Sequence, residues 1–544
     1  MLPQAPDPWT IYEAAHLLNR AGFGGSPSDI KTLHALGRTK AVDSLLKPAV
    51  GPDEFAMPEW CTPAKMAEDM QERIAQFRKL REETKNMTPE EAEKAKKNVN
   101  QTEQRENRQH GIEGQGWWFR SMLHTRAPLR EKMTLFWHDH FATSIQKVKQ
   151  PVLMMMQNDL FRRNATGNFR QLTHEIAKNP AMMLYLDTQN SKSGKPNENF
   201  AREVMELFTL GEGHYTEQDI HEAARAFTGY QLNRQNGTVF HNRRQWDDGE
   251  KTVFGKTGKF DGDDVVNLIF EQPQAAKFMA AKLWEYFAAD NPPPAAVESM
   301  AATFRSANYE VAPLLREIFL SKQFYAEEVM RNQIKCPIQF LVQMLKQLDL
   351  NQAPQGYTMI AQQQLGQVLF NPPNVAGWDW GKAWINTNTL LTRYNVAGFI
   401  TKGAEKAPGQ ALPVDESMAM ARKSDDSEMM DDDDKPNAGK RKGGGVQAAL
   451  GKKATPEKVA MVTEVAARNW RGPDYDRIAP RELRKRHEDL VDSLALRFFQ
   501  APLADKNRKR FIAFAEEKEG VVFTNHEVAE LVHLMLSTPE YQLT

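Results

Sequence analysis

Only two cysteines, Cys61 and Cys336, occur in 544 residues. Two cysteines supply neither a disulfide framework nor a CxxC metal knuckle, and both read as small buried hydrophobes. Long apolar runs are missing too, since none approaches the ~18 residues a spanning helix needs. The opening Met1-Leu-Pro-Gln-Ala-Pro-Asp7 has no basic start and no apolar stretch, so it does not read as a secretory signal. These absences lead us to expect a cytoplasmic chain, with export beside a partner as the alternative. An excess of one charge is lacking as well. Seventy Lys and Arg face 71 Asp and Glu, for a net charge of −1, which argues against a general nucleic-acid coat. No Gly-x-Ser-x-Gly elbow, kinase set, HExxH pair or dinucleotide fingerprint occurs. A conventional serine hydrolase, kinase or dehydrogenase is therefore disfavoured. The glycines of Arg20-Ala-Gly-Phe-Gly-Gly25 make no phosphate loop, because no strand precedes them and no Lys-Ser/Thr follows.

What is present is helical pattern. The densest signal runs from Pro196 to Tyr230. Asn197 suits a helix cap, and Phe200, Val204, Leu207 and Phe208 repeat at helical spacing. Gly211 suits a stop, Thr216 opens a second helix with Asp219 as its capping-box partner, and Gly229 ends it. Ala223, Ala224 and Phe227 give that second helix its buried side. Glu198, Arg202 and Glu206 fall four apart on one face, Glu203 lies one turn behind Glu206, and Asp219, His221, Glu222 and Arg225 crowd the partner helix. The pattern predicts a packed hairpin with a polar ridge. Thr10 and Ser26-Pro27 open further helices, and so does Pro128, with Leu129, Met133, Phe136, Trp137 and Phe141 inside. Trp117-Trp118-Phe119 and Met122 read as the start of another.

Residues 64–110 are heavily charged, with a narrow seam of Met66, Met70, Ile74, Phe77 and Leu80. Thr88-Pro-Glu-Glu91 is a second start, so two long helices, a charged arm, are expected. Thr238-Val-Phe-His241 and Lys251-Thr-Val-Phe254, around the turn-rich Asp247-Asp-Gly249, suit one short hairpin at about 236–256. The fold class is all-α: a large multi-helix body with a charged arm and at most one small β-hairpin. The organisation expected is a main body at 1–405, a disordered charged linker at 406–472 rich in Asp, Lys and Gly, and C-terminal helices at 473–544 packing on the body.

Three constellations are able to carry chemistry. His138 and His140 flank Asp139. A His-x-His pair points one way on a strand but about 200° apart on a helix, so the helical reading splits them. The second is the polar site formed by His138, His140, Glu198, Arg202, Glu203, Glu206, Asp219 and Glu222. Helical carboxylates with histidines from another helix hold metals in bundles, which would make His138, His140, Glu203 and Glu206 the ligands of a divalent metal. Against this, Glu-x-x-His is missing and Arg202 among the acids suits an ion network. The third is a ligand cleft of Trp378, Trp380, Trp384, Asn386, Asn388 and Arg393, aromatic rings interleaved with amides, with a rigid core-plugging loop as the bland alternative. No cofactor is otherwise implied.

Several of these segments together resemble a bacterial family known as domain of unknown function 1800. The matching pieces are Ala15-His-Leu-Leu-Asn-Arg-Ala-Gly-Phe-Gly24, Leu129-Arg-Glu-Lys-Met-Thr-Leu-Phe-Trp-His-Asp-His-Phe141, Ala181-Met-Met-Leu-Tyr-Leu-Asp187, Pro196 to Tyr230, Gly255 to Val266, Lys335-Cys-Pro337 and Pro372-Pro-Asn-Val-Ala-Gly-Trp378. They fall in order over nearly the whole chain. The resemblance implies a mostly helical fold. It also implies a partner encoded nearby, from a second family (domain of unknown function 1501) that looks like alkaline phosphatases and sulfatases. It carries over no catalytic residue. Two functions follow: a binding or accessory protein acting with that partner, or a metal-assisted hydrolase with a His/Glu-lined pocket.

Overall fold

The structure, a computed structural model, describes residues 1–47, 56–233, 237–352, 356–402, 470–518 and 523–544. Helices make up nearly all of its regular structure. Their starts follow local chemistry. Thr10 with Glu13, Ser26 with Asp29, Thr88 with Glu91, and Thr216 with Asp219 each form a two-way capping box, satisfying backbone N–H groups that the first turn leaves without partners.

Two compact units divide the chain. One holds Met1–Gln333, Val368–Asp379 and Thr544; the other holds Ile334–Gln367 and Trp380–Leu543. This division differs from the expected boundary at 405. Most of the expected linker at 406–472 lies outside the described residues, which resume at Trp470.

The first unit is built on aromatic packing. Trp137 and Phe141 of the Pro128–His140 helix and the residue after it are fully buried. Trp137 stacks on Phe169 with centroids 5.7 Å apart, and Phe141 meets Phe208 edge-on at 5.1 Å. Such rings bury large area and favour these offset and T-shaped geometries. The segment Val368–Asp379 is laced to the same helices. Gln115 Nε2 donates to the Leu369 carbonyl at 2.8 Å, the Ile145 amide to the Phe370 carbonyl at 2.9 Å, and the Trp378 amide to Asp139 Oδ1 at 2.7 Å. Gly377 makes the last bond reachable. Its φ is +94°, and a Cβ there would collide with Asp139 Oδ1 and lie 2.7 Å from the Asp139 carbonyl oxygen.

The arm consists of Pro63–Glu83 and Pro89–His124, joined by an Arg73–Glu103 ion pair at 3.2 Å. Met66, Met70, Ile74 and Leu80 are half-buried, while Phe77 is 53% exposed. No new helix begins at Trp117. The second arm helix continues unbroken to His124 and buries Trp117, Trp118, Phe119 and Met122 in the body. Gly111 and Gly114 do not break it and are close-packing points against Ile145 and Met155.

Two β-ribbons stand where one hairpin was expected. β1 (Tyr230–Asn233) pairs antiparallel with β2 (Thr238–His241), placing Tyr230 opposite His241. β3 (Lys251–Val253) pairs with β4 (Lys256–Gly258). The expected pairing of Thr238–His241 with Lys251–Phe254 fails for local reasons. Phe254 and Gly255 both take positive φ, 48° and 74°, as a tight hairpin turn requires. Asp247, expected in the turn, is taken by Arg225 through two hydrogen bonds of 2.9 and 3.1 Å.

In the second unit the Thr387–Lys402 helix packs on Asn525–Leu536. Arg393, 1% exposed, donates to Gln542 Oε1 at 3.1 Å and to the Lys335 carbonyl at 2.7 Å, with its guanidinium over the Phe340 ring. Arg484, also buried, donates to the carbonyls of Ala479, Tyr475 and Phe523.

Gly377→Ala combines left-handed strain with a steric clash and should cost on the order of 3 kcal/mol of stability. Arg393→Met leaves two buried acceptors unmet and should cost about 2 kcal/mol. Urea midpoints of the two variants against the parent check both, and an unchanged midpoint in either refutes that assignment.

Candidate functional site

The Pro128–His140 helix runs through His140, with Phe141 as its C-cap. Residues two apart on a helix diverge by about 200°, and the two imidazoles do so. His138 is wholly buried among Trp118, Phe370, Trp378 and Phe161, with ring centroids 5.3, 5.4, 5.7 and 6.1 Å away. Neither of its ring nitrogens has a hydrogen-bond partner among the described residues. Burial pushes its pKa down to about 3. His140 faces another way. Its Nε2 lies 3.0 Å from the Phe208 carbonyl, and its ring stacks on Phe136. Burial, with the Lys282 charge added, holds it well below its ordinary value. Asp139, between them, accepts the Trp378 amide. Burial raises its pKa to about 6 against the opposing pull of that bond and of Lys282.

The polar ridge is a surface ion network. Arg202 donates to Glu217 at 2.8 and 3.0 Å and lies 3.5 Å from Glu198, which also meets His221 Nδ1 at 3.3 Å. Glu217, the main partner of Arg202, was not singled out from sequence. It sits fifteen residues downstream, across the helical hairpin, where spacing along one helix gives no signal. Glu206 accepts the Tyr215 hydroxyl at 2.6 Å. Glu203 is half-buried, and burial followed by the nearby Glu206 raises its pKa. Asp219 and Glu222 have structural work. Asp219 caps its helix and accepts the Phe254 amide at 2.7 Å; Glu222 accepts from Arg225 at 2.7 Å and from the Thr252 amide at 3.2 Å. Together they fasten the β3–β4 ribbon to the Glu217–Ala226 helix.

The expected metal quartet of His138, His140, Glu203 and Glu206 does not assemble. Among the described residues no group of three or more His, Cys, Asp or Glu is placed to hold a metal ion. The physical reason is the helix through His140, which turns both imidazoles into aromatic packing. The residues of the expected ligand cleft fall in both units. Trp378 falls in the first unit, and Trp380, Trp384, Asn386, Asn388 and Arg393 in the second. Trp384 and Arg393 are buried, while Trp380, Asn386 and Asn388 are exposed. Asn386 caps the following helix by accepting the Thr389 amide at 2.9 Å.

An open cleft of about 810 Å³ lies elsewhere in the first unit, lined in part by Arg163, Arg170, His174, Lys178, Met156 and Leu160. Arg170, His174 and Lys178 recur every four residues along and just past the Phe169–Ala177 helix. Opposite them, Asp263 and Asn267 recur at the same spacing on the Gly262–Glu271 helix. That basic stripe is visible in the sequence and was passed over because no motif surrounds it.

A helical scaffold with sealed histidines, a surface ion network and a basic cleft defines an all-α protein. A family model described as "Protein of unknown function (DUF1800)" matches residues 16–543. The chain belongs to that family. No curated protein and no solved structure matches. Among the described residues no helix is long and apolar enough to cross a membrane.

The sealed histidines set an acid response. A His pKa depressed in the fold means that the unfolded state binds more protons below about pH 6.5, so stability rises with pH there. For His138 the contribution is complete above 6.5 and is lost as pH falls toward about 3. Asp139, raised to about 6, acts oppositely: its contribution is present below 3.8 and lost as pH rises through 6. His138→Leu should therefore flatten the decline of stability between pH 6.5 and 3, with Asp139 common to both proteins. Urea midpoints across that range give the readout, and parallel curves would refute the assignment.

Proposed function

We propose that this chain is a binding or accessory protein that acts with a phosphatase- or sulfatase-like partner, rather than a metal-assisted hydrolase. The observation that supports this reading is the fate of the four candidate ligands. His138 and His140 are walled in by aromatic rings, while Glu203 and Glu206 belong to a ridge where Tyr215 and the Glu217-bound Arg202 are their neighbours. A hydrolytic metal needs three or so convergent ligands and an open position for water. The buried imidazoles are packed as core, and the carboxylates are engaged as surface ions.

Two measurements test the proposal. Co-expression with a phosphatase- or sulfatase-like protein of the implied partner family should give a complex that survives affinity capture and gel filtration. Clean separation at micromolar concentrations of both would sink a stable complex. Elemental analysis of the purified, untagged chain should give no stoichiometric metal. Near-stoichiometric metal that disappears in a His138→Ala/Glu203→Ala variant would restore the hydrolase reading.

A further inference from the structure

We propose that the cleft along the Phe169–Ala177 helix is a binding site for a small organic anion, a phosphate or sulfate monoester, held through Arg170 and Lys178. The argument starts from how Arg170 is fixed. Its Nε and Nη2 both donate to Asn267 Oδ1, at 3.2 and 2.6 Å, and its Nη1 has no hydrogen-bond partner among the described residues. Asn267 Oδ1 also meets His174 Nε2 at 3.1 Å, so this oxygen is saturated and holds the guanidinium plane in place. Its partner is a neutral amide, which leaves the charge of Arg170 uncancelled. A guanidinium pinned on one edge and open on the other is pre-organised for an oxyanion and loses little freedom on binding.

The other charges are accounted for pair by pair. Lys178 Nζ reaches Asp263 at 2.5 Å, and His174 Nδ1 meets the same carboxylate at 3.0 Å. The ammonium keeps two further N–H donors. Arg163 pairs with Asp159 at 2.9 Å. Glu310 accepts from Asn168 at 3.1 Å. Among the described residues Glu175 is the one acid lining the cleft, and it faces the amides of Gln171 and Asn164 at 2.9 and 3.4 Å. Three basic groups on one helix face thus lean on a single carboxylate and a single amide. Met156, Leu160 and Pro180 supply apolar lining beside this basic wall. A bare inorganic ion would leave that lining unused, whereas the organic group of a monoester would cover it.

Calorimetric titration of the isolated full-length chain with phenyl phosphate, phenyl sulfate and inorganic phosphate tests the site. Saturable binding of the aryl esters is expected, about tenfold tighter than inorganic phosphate because a ring is buried. Arg170→Gln, which keeps a donor for Asn267, should weaken aryl-ester binding about tenfold by removing the charge-assisted contact. Glu175→Gln should tighten it. Melting curves confirm that each variant is folded, and Lys178→Gln replaces Arg170→Gln if the latter is not. Absence of saturable binding at low millimolar concentrations, or equal affinity in parent, Arg170→Gln and Lys178→Gln, overturns the proposal. The titration needs no partner protein, so its failure and a failure of the accessory reading are separate results.

Discussion

One hydrogen bond ties the first unit together: the Trp378 amide donating to the Asp139 carboxylate at 2.7 Å. It demands that Asp139 face the Val368–Asp379 segment, and a helix through His140 then sends the two imidazoles different ways, His138 against Phe370 and Trp378 of that same segment and His140 against the Phe208 carbonyl. It demands a glycine at 377, because no other residue brings that backbone so close. With the segment seated, Phe370 and Trp378 close the aromatic cage over His138. The local cost is a carboxylate pushed toward neutrality and a histidine that stays uncharged, both direct effects of removing water from ionisable groups.

The polar residues fall into two populations with different physics. Those sealed in the interior, His138, His140 and Arg393, are ringed by aromatics or tied to backbone carbonyls, and they fix which segments meet. Those at the surface, such as Arg202 with Glu198 and Glu217, are solvated pairs whose net energies are small. The basic wall of the cleft belongs to neither population: its groups are half-buried and held, yet one guanidinium edge stays open.

Much of the fold was legible in the sequence because helix starts are local. Thr10, Ser26, Thr88 and Thr216 each announce a cap within four residues, and each cap forms. The all-α class follows from apolar spacing, and the family from the order of the motifs along the chain. What failed was non-local. The partner of β2 depended on where positive φ falls, at Phe254–Gly255 rather than at Asp247–Gly249. The continuity of Pro89–His124 depended on what packs against Gly111 and Gly114. The polar site was over-read because residue types that ligate metals are also those that build caps and ion pairs; only their directions in space separate the uses.

The long helix has a consequence for how this chain can change. Its 36 residues make a rod of about 54 Å, one end paired in the arm and the other carrying Trp117 and Trp118 into the core. Removing one residue from the arm portion would turn the outer end by roughly 100° relative to the inner end and swing Glu103 away from Arg73. Paired losses or gains of about seven or eleven residues, two or three turns in each helix, keep both ends in phase. The arm can therefore lengthen or shorten only in steps of whole turns.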